Sequence, residues 1–335
     1  MCAPCVVCHS RHRPDSSLNS ENRRAISGPP TGPRLRNSGH RFEPARSGVT
    51  VTLMSLNGKT MFISGASRGI GLAIAKRAAQ DGANIALIAK TAEPHPKLPG
   101  TVFTAAKELE DAGGQALPIV GDVRDPDSVE SAVAKAVEQF GGIDICVNNA
   151  SAINLGSIAE VPMKRFDLMN GIQVRGTYAV SQACIPHLKG RENPHILTLS
   201  PPVLLEKEWL KPTAYMMAKF GMTLCALGMA EELREEGIAS NTLWPRTLVA
   251  TAAVQNLLGG DEAMGRARKP EVYSDAAYVV LNKPSKEYTG NTLLCEDVLV
   301  ESGVSDLSVY DCVPGGKLGV DFWVDGVNPP GYSGS

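Results

Sequence analysis

The sequence predicts a doubly wound α/β domain, a single parallel sheet with helices on both faces, and three observations carry that expectation. From Lys59 onward, short apolar runs alternate with helix-length amphipathic stretches, the rhythm of successive βαβ units. The run Asn84–Ala89 is almost wholly apolar, as a strand must be when helices cover both faces of its sheet. A glycine-rich turn, Ser64-Gly65-Ala66-Ser67-Arg68-Gly69-Ile70-Gly71, joins the first strand directly to the first helix.

Taken in order, Thr60–Ser64 reads as a strand, and residues 69–81 as a helix with Ile70, Ala73, Ile74 and Ala78 on one face. The strand Asn84–Ala89 is followed by strands at Leu117–Val120 and Ile143–Val147 with a helix over 126–140 between them. Residues 163–188 read as mostly helix, His195–Leu199 as a strand, 212 to 236 as a long helix and Ile238–Trp244 as a sixth strand. The long helix is apolar nearly all round, with Met222, Leu224, Cys225, Leu227 and Met229, so it must be buried. Ligands of such sheets bind beyond the carboxyl ends of the strands, and every motif discussed below falls at such an end.

Residues 1–53 differ in kind. They hold eight Arg, no Lys and three acids among many Ser, Pro and Gly, without helical or strand period, and read as a disordered basic arm. Cys2, Cys5, Cys8 and His9 open it, and Cys5-Val-Val-Cys8-His9 matches a haem-attachment string, while the three Cys and His9 are a zinc donor set. An Arg-rich, acid-poor start also fits an organelle transit segment. The reading preferred is that the native chain starts at Met54 and binds no metal. The oxidoreductase-like domain is then expected over 54–300, and residues 301–335, with Trp323 and Tyr332, as a tail packed on the domain or on a neighbouring subunit.

Composition removes several function classes. Lys and Arg total 33 against 35 Asp and Glu, a net charge of −2, which argues against a nucleic-acid binder. Apolar residues at 43% suffice for a buried core. No apolar run reaches the length of a membrane span. Eight Cys, five of them isolated in helical or strand-like segments, make no disulfide framework and fit a reducing cytoplasmic setting.

The glycine turn is the first chemical signal. Its glycines let backbone N–H groups approach a pyrophosphate at the positive end of a helix, and its position between strand and helix within a βαβ unit is what gives the string weight. An NAD site places an acid at the end of the second strand to bond the ribose hydroxyl. Here that strand ends Ala89-Lys90-Thr91, and Arg68 lies inside the turn. Two cations where an acid would stand suit a 2′-phosphate, so NADP(H) is the expected cofactor.

The glycine turn, Asn148-Asn149-Ala150, Ser200 and Tyr215-Met-Met-Ala-Lys219 together resemble the short-chain dehydrogenase/reductase family, over about residues 56–300. Within it, Lys90-Thr-Ala-Glu-Pro-His-Pro-Lys97, Leu199-Ser-Pro-Pro202 and Leu243-Trp-Pro245 look like the hydroxysteroid-dehydrogenase-like branch. Some members of that branch carry a sterol-carrier domain, for which the residues after 300 are too few. The resemblance implies a Rossmann-type fold and hydride transfer to or from a carbonyl/hydroxyl pair. By it, Tyr215 is the general acid/base, Lys219 lowers the Tyr215 pKa and holds the nicotinamide ribose, and Ser200 orients the carbonyl. Tyr215 and Lys219 are i and i+4 on one helix face, as that division of labour requires.

By the same resemblance Gly65, Ser67, Arg68, Gly69, Ile70, Gly71, Lys90, Asp122, Val123, Asn149, Ala150, Tyr215, Lys219, Pro245 and Arg246 line the cofactor, with Asp122 at the adenine amino group. Capping of the third helix falls to Asp125 or Asp127. Departures from the family pattern are also present: Gln173 stands where an Asn anchors a proton-relay water, Ser151 and Arg246 replace glycines, and the Ser200–Tyr215 spacing is long. Arg246 is a candidate phosphate contact. Leu248, Val249, Ala252, Val254, Leu257, Leu258 and Met264 form the expected lid, and with Trp209, Trp244, Met216 and Met217 they point to an apolar, lipid-, fatty-acyl- or steroid-like substrate. Burial of the long helix against its twin implies a homodimer or homotetramer. The competing reading is a non-catalytic NADP(H)-binding sensor or scaffold, for which Gln173, Ser151 and Arg246 are the support.

Overall fold

Seven strands form one parallel sheet in the computed structural model of the protein, which describes residues 55–94 and 98–332. They are β1 (Thr60–Ser64), β2 (Asn84–Ala89), β3 (Gln115–Val120), β4 (Ile145–Asn148), β5 (His195–Thr198), β6 (Ala239–Trp244) and β7 (Thr292–Leu294), in the order β3-β2-β1-β4-β5-β6-β7. The winding reverses between β1 and β4, which opens a crevice beyond their carboxyl ends. The expected Rossmann-type doubly wound sheet is therefore present. The basic arm, with Cys2, Cys5, Cys8 and His9, lies outside the described residues.

Ten α-helices lie among the described residues: α1 (Gly69–Gln80), α2 (Val102–Asp111), α3 (Pro126–Phe140), α4 (Met163–Asn170), α5 (Gly176–Leu188), α6 (Thr213–Glu232), α7 (Ala252–Leu257), α8 (Gly260–Gly265), α9 (Glu271–Leu281) and α10 (Cys295–Glu301). Alternate strand residues feed two cores. Met61, Ile63, Ile85 and Leu87 pack with Ile74 of α1, Leu109 of α2, Ala276 of α9 and Leu299 of α10. Phe62, Ala86, Ile88 and Ile196 pack on the opposite face with Val129 of α3, Val180 of α5 and Ala226 of α6.

Local chemistry sets the helix ends. Asp125 caps α3, its carboxylate accepting the Asp127 N–H, with Pro126 at the first turn and Gly141 left-handed at φ 78° at the close. The sequence reading passed over α2, whose capping box uses Thr104 in place of the usual Glu or Gln: Thr104 N–H donates to Thr101 Oγ1 at 3.1 Å and Thr101 N–H to Thr104 Oγ1 at 2.8 Å. The stretch expected as mostly helix over 163–188 is two α-helices joined by a π-turn at Gly171–Arg175.

The tail packs on the domain, one of the two placements expected for it. Beyond α10 the chain crosses the carboxyl end of the sheet as a strap. Leu248 N–H donates to Gly319 O at 3.0 Å, Asp321 N–H to Arg246 O at 3.0 Å, and the indole N–H of Trp244 to Phe322 O at 2.9 Å. Two buried guanidiniums tie it down. Arg268 reaches Glu296 (2.9 Å), Asp311 (3.1 Å), Val327 O (3.0 Å) and Asn328 (2.8 Å). Arg246 reaches Asp297 and Asp325, each at 2.9 Å.

Candidate active site

The glycine turn is held against the turn after β4. Asn149 Nδ2 donates to Ser64 O at 2.8 Å and Gly65 O at 2.9 Å. A Cβ on Gly65 would sit 2.8 Å from Ala150 Cα, and one on Gly71 would sit 2.4 Å from Asn149 Nδ2. Both glycines thus permit two backbone turns to touch, a packing reason added to the expected approach of a pyrophosphate. Gly71 itself does not line the cavity described below. Gly69 holds φ 62°, a left-handed geometry that favours glycine. The N-cap of α1, Arg68, makes no side-chain cap, so the first N–H groups of the helix remain available to an anion beside it.

Beyond β2 and β3 lies a charged cluster. Lys90 Nζ is 3.0 Å from Asp122 Oδ2, and Arg124 grips the same carboxylate at 2.6 Å and 3.1 Å. Hydrogen bonding from Arg124, aided by Lys90, holds the Asp122 carboxyl well below the usual carboxylate range. Arg124 was not among the residues expected at the site. Arg68 donates to Pro99 O at 2.9 Å and Gly100 O at 2.7 Å, bracing the loop before α2, and burial lowers its pKa.

At the other end, α6 presents Tyr215 and Lys219 one turn apart. Both are buried, and Lys219 Nζ donates to Leu199 O at 2.8 Å and lies 4.9 Å from the Trp244 ring centre. Burial pushes the ammonium down to about 7, opposed by the Asp321 carboxylate. The Tyr215 phenol goes the other way: burial, then the charge of Asp321, raise it above its ordinary value. Desolvation governs the phenol, while one of the three ammonium donors of Lys219 is taken by Leu199 O. A raised phenol keeps its proton at neutral pH.

Ser200 does not meet the cavity. The chain turns directly after β5, with Ser200 N–H donating to Thr198 O at 3.0 Å, and its hydroxyl lies fully buried 2.9 Å from the Thr223 hydroxyl. Gln173, in the π-turn, is also fully buried, and its amide nitrogen faces Ala152 O at 2.8 Å and Met169 O at 3.3 Å. The longer side chain thereby pins the loop after β4 instead of facing the reacting groups. Arg246 makes no phosphate site, since its guanidinium is the buried anchor of the strap.

The strap supplies what the sequence reading missed. Phe322 meets the Tyr215 ring edge-on with centroids 6.4 Å apart, and Trp323 lies 5.6 Å from it. Trp323 also packs on Phe220 and Trp244, and its indole donates to Trp209 O at 2.8 Å. Its φ of 61° is the one left-handed non-glycine among the described residues, a conformation costing about 1–3 kcal/mol that persists only when packing over-determines it. The dense run Asp321-Phe-Trp-Val-Asp325, in a tail otherwise rich in Gly and Pro, is the signal that could have marked it.

One cavity of about 690 Å³ joins the two ends, within the usual size of a ligand site. Gly65, Ser67, Arg68, Gly69, Ile70, Lys90, Asp122, Val123, Asn149, Ala150 and Pro245 line it, as do Tyr215 and Lys219. Its apolar wall holds Ile153, Leu155, Val249, Val254, Leu258 and Phe322, and Asp321 and Tyr273 also line it. Leu248 and Met264 of the expected lid lie outside it.

The short chain dehydrogenase family model matches residues 59–261. Hydroxysteroid dehydrogenase-like protein 2 of Danio rerio is 56% identical over 272 residues, covering 81% of this chain and 65% of its own length. The chain thus spans just under two thirds of the length of such curated relatives. A short chain dehydrogenase structure from Mycobacterium thermoresistibile is 83% identical, covers 84% of this chain and 100% of its own, and superposes with a TM-score of 0.81. A carveol dehydrogenase from Mycobacterium avium in complex with NAD is 25% identical, with 72% and 97% covered and a TM-score of 0.63.

Proposed function

The chain belongs to the short-chain dehydrogenase family, and on that premise we propose an NADP(H)-dependent oxidoreductase acting on an apolar, lipid-, fatty-acyl- or steroid-like carbonyl or alcohol. The observation that carries this reading is a single cavity with an uncapped helix start and two cations at one end and Tyr215 with Lys219 at the other. Bound in it, the nicotinamide supplies or accepts a hydride. Lys90 and Arg68 receive the 2′-phosphate, and the first N–H groups of α1 face the pyrophosphate. The carbonyl oxygen of the substrate takes the proton of Tyr215, which burial keeps protonated. Lys219 holds the nicotinamide ribose, and the apolar wall excludes water and fits a substrate without charge.

An alternative, a cofactor-binding sensor or scaffold, draws support from Ser200 and Gln173 facing away from the cavity. A carbonyl panel with NADPH, run on the parent and on Tyr215→Phe, separates the two. Turnover lost in the variant sustains the enzyme, whereas tight NADPH binding without turnover of any carbonyl sustains the scaffold. Association into a homodimer or homotetramer through α6 belongs to the same proposal. Met217 and Leu224 stand exposed two turns apart on one face of that helix, and light scattering at micromolar concentration tests it. Among the described residues no helix is long and apolar enough to cross a membrane. The five described cysteines are free, in keeping with a reducing compartment such as the cytoplasm.

A further inference from the structure

A tyrosine that gives its proton to each substrate must be recharged. The group from which the sequence led us to expect a proton relay, Gln173, is committed elsewhere, to the carbonyls of Ala152 and Met169. We propose that Asp321, carried into the cavity by the C-terminal strap, is the proton store that recharges Tyr215 between turnovers. The inference rests on the acid role given to Tyr215 above.

Placement is the first support. Asp321 lines the same cavity as Tyr215 and Lys219, and the residue is half-buried. Its neighbour Phe322 abuts the Tyr215 ring. One carboxylate oxygen accepts the Phe322 N–H at 2.7 Å, and among the described residues no side chain hydrogen-bonds the carboxyl. The backbone on both sides is fixed, by Arg246 O before it and by the left-handed Trp323 after it, so the carboxyl is held in place at a conformational cost.

Its surroundings are the second support. The titratable groups whose charges couple to it are Tyr215 and Lys219 on α6, Tyr273 on α9, and Cys295 and Glu296 on α10. Lys219 is the sole cation among them, and Glu296 adds a like charge. Burial, reinforced by Glu296 and opposed by the Phe322 N–H and Lys219, pushes the carboxyl up to about 7. Such a group is protonated in a large share of molecules at neutral pH and exchanges readily.

The step balances. In reduction a hydride from bound NADPH forms the new C–H bond, the carbonyl π pair becomes the O–H pair with the Tyr215 proton, and Tyr215 is left as phenolate. The phenolate takes the Asp321 proton, a downhill transfer because the phenol is the weaker acid. The Asp321 carboxylate then regains a proton from solvent. Above about pH 7 the store empties, so reductive turnover falls as pH rises through that value.

The test is Asp321→Asn, which keeps the acceptor for Phe322 N–H and loses the exchangeable proton, with Asp321→Glu beside it, in the full chain with NADPH and a carbonyl substrate. In Asp321→Asn we expect a first turnover at the parental rate, a steady state at least tenfold slower, and recovery as imidazole buffer is raised at constant pH. Asp321→Glu recovers most of the rate, and thermal unfolding and NADPH affinity stay parental. A steady state within twofold of the parent overturns the proposal. So does a first turnover slowed equally and unmoved by imidazole, which marks a structural role. If Tyr215→Phe is inactive in the same assays, such a result removes only the proton store; if Tyr215→Phe is fully active, the acid role fails with it.

Discussion

The two ends of the cavity are made from different kinds of chain. At the glycine-turn end, several lining groups sit just after a strand: Gly65 after β1, Lys90 after β2, Asp122 two residues past β3 and Asn149 after β4. At the reacting end, Tyr215 and Lys219 from α6 are roofed by Asp321, Phe322 and Trp323 from the far end of the chain. A strand terminus delivers its next residue to the crevice by local geometry alone. The roof exists only when the strap is docked, so chemistry and stability are coupled at one end of the cavity and separable at the other.

The largest expected effect tests the reacting end directly. Tyr215→Phe preserves the ring that packs on Phe322 and Trp323 and removes only the oxygen. Turnover should fall by about 10²–10⁴-fold while the melting temperature and NADPH affinity hold. Steady-state rates beside a thermal melt read both, and equal turnover would take the tyrosine out of the mechanism. Next, Trp323→Ala should cost about 3–5 kcal/mol by the loss of a fully buried indole, with activity falling alongside. Denaturant unfolding measures it. An unchanged midpoint would mean that the strap docks without contributing to the fold, and the comparison would collapse.

The same division explains what could be read from the sequence. The sheet, the helix over 126–140 and the glycine turn follow from apolar period and from glycine between a strand and a helix, all local signals. A tail packed on the domain was expected, but its path over the cavity was not legible, because its contacts join residues remote in sequence: Arg246 to Asp325, Arg268 to Val327 O, Trp209 O to Trp323. Ser200 illustrates the converse. Its position after β5 placed it at the crevice, but the turn back to Thr198 O and the hydroxyl of Thr223 set its direction, and no spacing rule contains that. Asp122 was read correctly as a residue at the β3 end, but its grip by Arg124 depends on a side-chain geometry that the letters Asp-Val-Arg leave open.

Arg246 lets the two ends be told apart by one substitution. As a phosphate ligand it would weaken NADPH binding when removed. As the buried tie of the strap it should instead lower stability by about 1–3 kcal/mol in Arg246→Met, for the charge-assisted bonds to Asp297 and Asp325. Calorimetric NADPH titration and a thermal melt of the same variant give the two readouts. A weakened titration with an unmoved melt would return Arg246 to the cofactor.

The smallest effect lies at the glycine-turn end. NADPH should bind about tenfold more tightly than NADH, ~1.4 kcal/mol, by titration followed through tryptophan quenching. The margin is modest because Lys90 is already 3.0 Å from Asp122 and mostly exposed, and exposed pairs contribute little. A 2′-phosphate therefore replaces one weak partner by a stronger one instead of engaging a bare charge. Lys90→Ala should narrow the preference by weakening NADPH and leaving NADH alone, with no change in melting temperature. Arg68→Ala should also loosen the loop it holds at Pro99 O and Gly100 O, so both cofactors weaken. A preference for NADH would mean that Asp122, freed from Lys90, reaches the ribose hydroxyl itself, and the cations would then serve only to hold that carboxylate in place.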